Sequence, residues 1–216
     1  MNPTAPDPTA AELAAAEPTV VIVPGLRDHV AGHWQTLLAA RLTEAGRTVR
    51  TLSPVQENRL SLDAQVANLA ETLASVDGPV LLVAHSAGVL TTVHWAARHT
   101  ADVRGALLAT PPDFDTPLPE GYPTQDELDA HAWTPVPTRR LPFPSIVVAS
   151  ANDPLATLDA VADLARRWGS ALLDVGEVGH LNPASGYGPW PLAEEILCTL
   201  DSPRTLLPAV PTGRRG

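Results

Sequence analysis

Six short apolar runs along the 216-residue chain have the length and β-branched content of buried strands, and segments with helical spacing separate them. Parallel strands need a crossover connection, which is usually a helix, so this alternation favours a parallel sheet. Helices cover both faces of such a sheet, which explains why the runs are apolar throughout. The sequence therefore predicts an α/β fold, a three-layer sandwich around a six-stranded, mostly parallel sheet. The predicted strands are 19–23, 47–52, 80–83, 103–109, 145–150 and 170–175.

One domain accounts for most of the chain, and we place it at residues 19–200. Residues 1–18 are rich in Pro, Ala and Thr and are predicted to be a flexible leader, and residues 201–216 a flexible tail. The Pro-rich stretch 111–144 is longer than an ordinary connection, so we interpret it as a small lid and call it the lid segment. The predicted helices are 33–45, 62–76, 88–98, 158–168 and 192–200.

The stretch PVLLVAHSAGVL, residues 79–90, places a serine where a buried strand changes directly into a helix. Ala84 and Gly88 flank Ser86 at the two positions where such a tight turn has no room for larger side chains. This is the pattern of a nucleophile elbow, with Ala84 in place of the first glycine of G-x-S-x-G. The motif alone also arises by chance in an Ala-rich chain, so the position of Ser86 at a strand end is the stronger indication.

Two further residues follow predicted strands in the order that a hydrolytic triad requires. Asp153 comes three residues after strand 145–150, and His180 lies in the loop after the last strand. The carboxyl ends of parallel strands share one edge of the sheet, so these side chains are expected to meet Ser86. We assign Ser86 as nucleophile, His180 as general base and Asp153 as the acid that orients it. Asp113 follows the fourth strand and is the alternative acid; the position of Asp153 just before the histidine strand favours Asp153.

An oxyanion hole needs two backbone donors, and the sequence offers a candidate for each. The N–H of Ala87 begins the helix after the elbow, and the loop VPGLRDH follows the first strand. Gly25 would let that loop approach closely, which makes the N–H of Leu26 the second candidate. The alternative for Pro24-Gly25 is an ordinary turn.

The other histidines are weaker candidates. His85 adjoins Ser86 but should point elsewhere on a strained turn, and His94 and His99 lie farther along the helix, where packing or surface roles are expected. His29 and His33 have the i, i+4 spacing of a metal pair but no third ligand in a known pattern. We therefore predict no metal and no other cofactor.

Charge and targeting signals limit the partners. The formal net charge is −10, which argues against nucleic acid and anionic membranes as partners. All 14 basic residues are arginine, so no lysine can form a Schiff base.

Cys198 has no second cysteine to pair with and is expected to be a small buried apolar residue. No secretory signal or membrane span is evident, so the expected compartment is the cytoplasm; the oligomeric state stays open.

Several motifs together resemble the small serine hydrolases of the α/β-hydrolase superfamily that include the retinoblastoma-binding serine hydrolase and its bacterial relatives. These motifs are VPGLRDHVAGHWQ, VAHSAGVL, ARHTADVRGALLATPPD, LPFPSIVVASANDP and WGSALLDVGEVGHLNPASGYGPWP, within residues 19–192. The resemblance implies the triad Ser86, Asp153 and His180 and a cofactor-free, esterase-like activity. The position after Pro154 is usually aromatic in this group, and Leu155 here is expected to alter the acyl pocket.

The leading hypothesis is therefore a serine hydrolase that cleaves small carboxylic esters through an acyl-enzyme. Amide or peptide hydrolysis with the same triad is the alternative, and a non-catalytic protein-binding module a more distant one. Trp133 lies in the lid segment ahead of two prolines, where it would either wall the substrate pocket or anchor the segment to the core. As a wall it would restrict the acyl chain to about two to six carbons.

Overall fold

A computed structural model describes residues 16–27 and 30–202, and within them six strands form one sheet in the order β2-β1-β3-β4-β5-β6. Every neighbouring pair is parallel, which confirms the predicted parallel sheet. The strands are β1 Thr19–Val23, β2 Val49–Thr51, β3 Val80–His85, β4 Val103–Ala109, β5 Ser145–Ala149 and β6 Ala171–Asp174.

Helices cover both faces of the sheet, which gives the predicted three layers. The helices are α1 Trp34–Glu44, α2 Leu62–Ala74, α3 Ala87–Arg98, α4 Gln125–Ala130, α5 Leu158–Trp168 and α6 Leu192–Asp201. Buried residues of α2, α3 and α5 form one core cluster, and those of α1 and α6 form the other. Because successive side chains of a strand point to opposite faces, Val21 and Val23 enter the first cluster while Val20 and Ile22 enter the second.

The strand order fixes where a ligand can bind. From β1 the chain goes to β2 on one side, and it then returns to β3 on the other side of β1. The connections leaving the carboxyl ends of β1 and β3 therefore run in opposite directions and open a crevice between them. The loop after β1 and the turn after β3, which carry the predicted oxyanion loop and elbow, both lie at this point.

The lid segment has two parts with different surroundings. Its first part includes Phe114 and Tyr122 and faces the crevice. Its second part packs on the α2–α3 side of the core: the indole N–H of Trp133 donates to the carbonyl of Leu60, and Leu62 N–H donates to the carbonyl of His131. The short helix α4 begins with a capping box between Thr124 and Glu127. The second part is therefore a covering element of the core.

His94 joins α3 to the second part of the lid segment. Its Nε2 lies 3.2 Å from the carbonyl oxygen of Trp133, which can only accept, so Nε2 carries the proton and donates. Burial lowers the pKa of His94 from 6.5 to about 4, because the charged imidazolium is disfavoured away from water. His94 therefore has a packing role, as the sequence predicts.

Acid should destabilise the fold in part through His94. The His94 imidazole takes up a proton near pH 6.5 in the unfolded chain but only near pH 4 in the folded chain. The stability of the fold therefore has its full value with respect to this group above pH 6.5, and it decreases as the pH falls to 4. We expect His94→Gln, which keeps an N–H donor but does not titrate, to reduce the loss of unfolding free energy between pH 7 and pH 4.5 by about 1–2 kcal/mol. Urea melts at both pH values measure this. The exposed His99, replaced by Gln, is the control, and an equal slope in wild type and His94→Gln would contradict the assignment.

Some sequence predictions fall at or beyond the described ends. Residues 1–15 of the predicted leader and 203–216 of the predicted tail lie outside the described residues. The last helix extends one residue beyond the predicted domain, to Asp201, whose carboxylate pairs with Arg104 at 3.0 Å. Cys198 is exposed, so its predicted burial is wrong. Among the described residues, no helix has both the length and the apolar content needed to cross a membrane.

Candidate active site

Ser86 occupies the turn between β3 and α3, and its backbone has a conformation that residues other than glycine rarely adopt. Its φ is 56° and its ψ is −131°, which is unfavourable for a residue with a Cβ. Backbone hydrogen bonds hold this conformation: Ser86 N–H donates to the carbonyl of Ala109, and Val89 N–H donates to the carbonyl of Ser86, at 2.9 Å each. The turn therefore has the geometry of the elbow that the sequence predicts.

Glycines allow the loop after β1 to lie directly against this turn. A Cβ on Gly88 would lie 2.4 Å from the carbonyl oxygen of Val23 and 2.5 Å from that of Pro24. A Cβ on Gly25 would lie 3.1 Å from the Cβ of Ser86. Contacts below 3 Å to backbone atoms require the chain to move, so glycine at position 88 is a packing requirement of the crevice.

Gly88→Ala should therefore lower the stability of the fold. The added methyl group would push α3 away from the end of β1, and we expect a loss of about 1–3 kcal/mol in unfolding free energy. The matched control is Gly188→Ala, because a Cβ on Gly188 meets no atom within 4 Å, and its cost should stay within about 0.5 kcal/mol. Chemical denaturation of both variants measures the difference. Equal stability of Gly88→Ala and wild type would show that the two elements are not in the close contact described.

The structure brings Ser86, His180 and Asp153 together. His180 Nε2 lies 2.8 Å from Ser86 Oγ, and His180 Nδ1 lies 2.9 and 3.0 Å from the two oxygens of Asp153. The Asp153 and His180 side chains are 1% and 4% exposed, so water does not compete for these hydrogen bonds. A carboxylate accepts from Nδ1–H, which leaves the lone pair of Nε2 facing the serine hydroxyl.

Asp113, the alternative acid, has other partners. Its carboxylate oxygens accept from the backbone N–H of Asp115 and from the hydroxyl of Thr116. These are the hydrogen bonds of a local turn after β4. The geometry therefore favours Asp153 over Asp113.

The loop that carries His180 is held by side chains that the sequence reasoning missed. Asn152 Oδ1 accepts from Gly179 N–H at 2.6 Å, and Ser185 Oγ accepts from His180 N–H at 3.0 Å. Asn182 caps the 3₁₀ turn Pro183–Ser185 by accepting from Ser185 N–H. Asn152 precedes Asp153 in the motif NDP, and Asn182 follows His180 in the motif HLNP. This closeness to predicted triad residues is the feature of the sequence that could have identified both asparagines.

His85 lies beside His180 rather than apart from the site. Its Nε2 donates to the carbonyl oxygen of His180 at 2.9 Å, and the two ring centroids lie 4.9 Å apart. Burial, with the nearby imidazoles of His180 and His33 as smaller causes, lowers the pKa of His85 well below 6.5. His85 is therefore neutral near pH 7 and supports the backbone of the histidine loop.

His33 caps helix α1, because its Nδ1 accepts from the backbone N–H of Gln35 at 3.2 Å. Its ring packs against His85 with the centroids 4.7 Å apart. His29 lies outside the described residues. It is the second histidine of the i, i+4 pair that was considered as a metal site.

Gln35 connects the two strand ends that flank the crevice. Its side-chain amide donates to the carbonyl of Val23 at 3.2 Å and to the carbonyl of Val83 at 2.9 Å. Val23 is the last residue of β1, and Val83 lies three residues before Ser86. The buried amide thus ties the loop of Leu26 to the elbow of Ala87. Ala87 is the first residue of α3, so its backbone N–H has no hydrogen-bond acceptor within the helix.

A cavity of about 490 Å³ opens beside Ser86 and His180. Leu26, Ala87 and Leu155, three of the predicted pocket or oxyanion residues, line it. Further apolar walls include Leu60, which precedes α2, and Phe114, Leu118 and Tyr122 of the lid segment.

Trp133 does not line this cavity, so the prediction of a substrate-facing tryptophan is corrected. Its side chain is completely buried, and its ring meets Phe114 edge-on with the centroids 5.5 Å apart. The hydrogen bond to Leu60 satisfies its indole N–H on the core side. Trp133 therefore anchors the lid segment, and Phe114, against which it packs, lines the cavity.

Comparison with known proteins identifies the family. A family model described as serine hydrolase matches residues 20–199, and the chain belongs to that family. A YdeN-like hydrolase from Pectobacterium atrosepticum is 27% identical, with 87% of this chain and 92% of that chain covered and a TM-score of 0.72. The ydeN gene product of B. subtilis is 21% identical, with 85% and 98% covered and a TM-score of 0.64.

Est1E from Butyrivibrio proteoclasticus, solved with bound ferulic acid, shares the fold at 13% identity, with 86% and 90% covered and a TM-score of 0.63. No protein of curated function matches the sequence significantly. These relatives and the family match agree with the small α/β serine hydrolase that the sequence motifs predict.

Proposed function

We propose that this serine hydrolase cleaves carboxylic esters through an acyl-enzyme formed on Ser86. The observation that carries the proposal is the unbroken hydrogen-bond chain from Ser86 through His180 to the buried Asp153, at the wall of a largely apolar cavity. One solved structure, described as an esterase domain, shares the fold and supports the esterase assignment by analogy.

In the acylation step, Ser86 Oγ attacks the ester carbonyl carbon while His180 Nε2 takes the hydroxyl proton. The carbonyl electron pair moves to oxygen, and the N–H groups of Leu26 and Ala87 donate to that oxyanion. When the tetrahedral intermediate collapses, the C–O bond to the alcohol breaks and His180 returns the proton to the leaving oxygen. Asp153 stabilises the imidazolium between these transfers.

Deacylation repeats the sequence with water in place of the serine. His180 removes a proton from water as its oxygen attacks the acyl carbon, and the proton then passes to Ser86 Oγ as the acid departs. The acyl chain would lie among the apolar walls, with Leu155 close to the triad because its backbone N–H donates to Asp153. Since Trp133 does not line the cavity, it does not limit the acyl chain to about two to six carbons.

Amide hydrolysis with the same residues is the second candidate, and a panel of substrates separates the two. Acyl 4-nitrophenyl esters of increasing chain length and the matching 4-nitroanilides would be compared on wild type and Ser86→Ala. We expect ester turnover with a pre-steady-state burst of one nitrophenolate per chain, and far slower anilide turnover. Faster anilide than ester turnover would favour an amidase. Equal rates for wild type and Ser86→Ala would contradict the proposal.

A further inference from the structure

Two arginines line the cavity of a protein whose overall charge is negative. Arg27 and Arg59 line the cavity, and among the described lining residues there is no aspartate or glutamate. The chain as a whole has 24 acidic residues against 14 arginines. A random sample of the surface would therefore bring carboxylates to the cavity more often than guanidinium groups.

Both arginines are held at the cavity by contacts of their own. The guanidinium carbon of Arg27 lies over the ring of Tyr122, 4.8 Å from its centroid, and this cation–π contact joins the loop after β1 to the lid segment. Arg59 donates through Nη2 to the carbonyl of Leu26 at 3.4 Å. A guanidinium has five N–H donors, so a contact with a ring face leaves Arg27 able to donate to a carboxylate.

We infer that the substrate carries a carboxylate in addition to the ester group that Ser86 attacks. Such a molecule is the half-ester of a dicarboxylic acid, or a hydroxy acid that is esterified at its hydroxyl and keeps its carboxylate free. The planar guanidinium matches a carboxylate with two parallel hydrogen bonds, which makes the arginines at the cavity suited to recognise an anionic group. This inference rests on the proposed ester hydrolysis and adds the chemical class of its substrate.

Two pairs of esters that differ in one charge test the inference on either side of the ester bond. The first pair is mono-4-nitrophenyl glutarate and its methyl-capped diester, with the carboxylate in the acyl part. The second is 4-acetoxybenzoate and its methyl ester, with the carboxylate in the alcohol part. For each pair the measured quantity is the ratio of kcat/KM for the anionic ester to kcat/KM for the neutral ester.

For at least one pair, we expect the double variant Arg27→Gln, Arg59→Gln to lower this ratio about tenfold relative to wild type. Raising the salt from 20 mM to 500 mM should also lower the wild-type ratio, because exposed charges are screened. The control is Arg50→Gln, which removes one positive charge from an exposed position on β2 and should leave the ratio unchanged. Ratios that neither the double variant nor salt alters in either pair would overturn the inference.

A binding measurement separates failure of the inference from failure of the proposed function. Calorimetric titration of Ser86→Ala with glutarate and with its dimethyl ester requires no turnover. One outcome is that Ser86→Ala binds glutarate, that adding Arg27→Gln and Arg59→Gln abolishes this binding, and that the wild type hydrolyses no ester. This outcome would support the anion site and contradict ester hydrolysis. Ester turnover at Ser86 with no charge preference and no glutarate binding would do the opposite.

Discussion

Ser86→Ala should lower kcat for ester hydrolysis by about 10⁴- to 10⁶-fold, because no other group in the triad can form the acyl-enzyme. Stability should change by less than about 1 kcal/mol, since the substitution removes one hydroxyl and its hydrogen bond to His180. Initial rates with a 4-nitrophenyl ester and thermal melts of the same samples measure the two effects.

Ser75→Ala is the control for this prediction. Ser75 caps the end of α2, where its hydroxyl donates to the carbonyl of Thr72 on the exposed surface. Its activity should equal that of wild type. If Ser86→Ala retained more than a tenth of the wild-type rate while folded, Ser86 could not be the nucleophile.

Asp153→Asn is expected to have the second largest effect, a loss on the order of 10⁴ in kcat. The amide can present an N–H to His180 Nδ1, which favours the tautomer whose proton lies on Nε2, and that tautomer cannot accept the serine proton. The same change removes the charge that stabilises the imidazolium. Steady-state rates over pH 6–9 measure the loss.

Asp113→Asn provides the matched comparison, because Asp113 was the alternative acid and holds only a local turn. Its rate should remain within a few-fold of wild type. A severe loss in Asp113→Asn beside a mild loss in Asp153→Asn would reverse the assignment of the acid.

The fold was predictable because its signals are local. Six apolar runs and the helices between them define a parallel sheet, and all six strands form where the sequence places them, although β2 is shorter than predicted. The meeting of Ser86, Asp153 and His180 was predictable as well, since each follows a strand and parallel strands end at one edge.

The remaining features of the site depend on contacts between distant segments, which one sequence does not reveal. The sequence allowed Trp133 to face either the substrate or the core; the hydrogen-bond acceptor at Leu60 and the ring of Phe114 bury it. Gln35 gave no motif signal, because its two carbonyl partners come together only after β1 and β3 pair. His85 was expected to point elsewhere, yet it supports the loop of His180.

The most direct test of the central claim is the site and stoichiometry of covalent labelling by an alkyl fluorophosphonate, which reacts with activated serines. Intact-mass spectrometry and peptide mapping would follow the reaction of wild type, Ser86→Ala and Ser75→Ala. We expect one phosphonyl group per chain, located on Ser86, in wild type and Ser75→Ala, and no adduct in Ser86→Ala. An unlabelled wild-type protein, or an adduct on another residue that persists in Ser86→Ala, would contradict that claim.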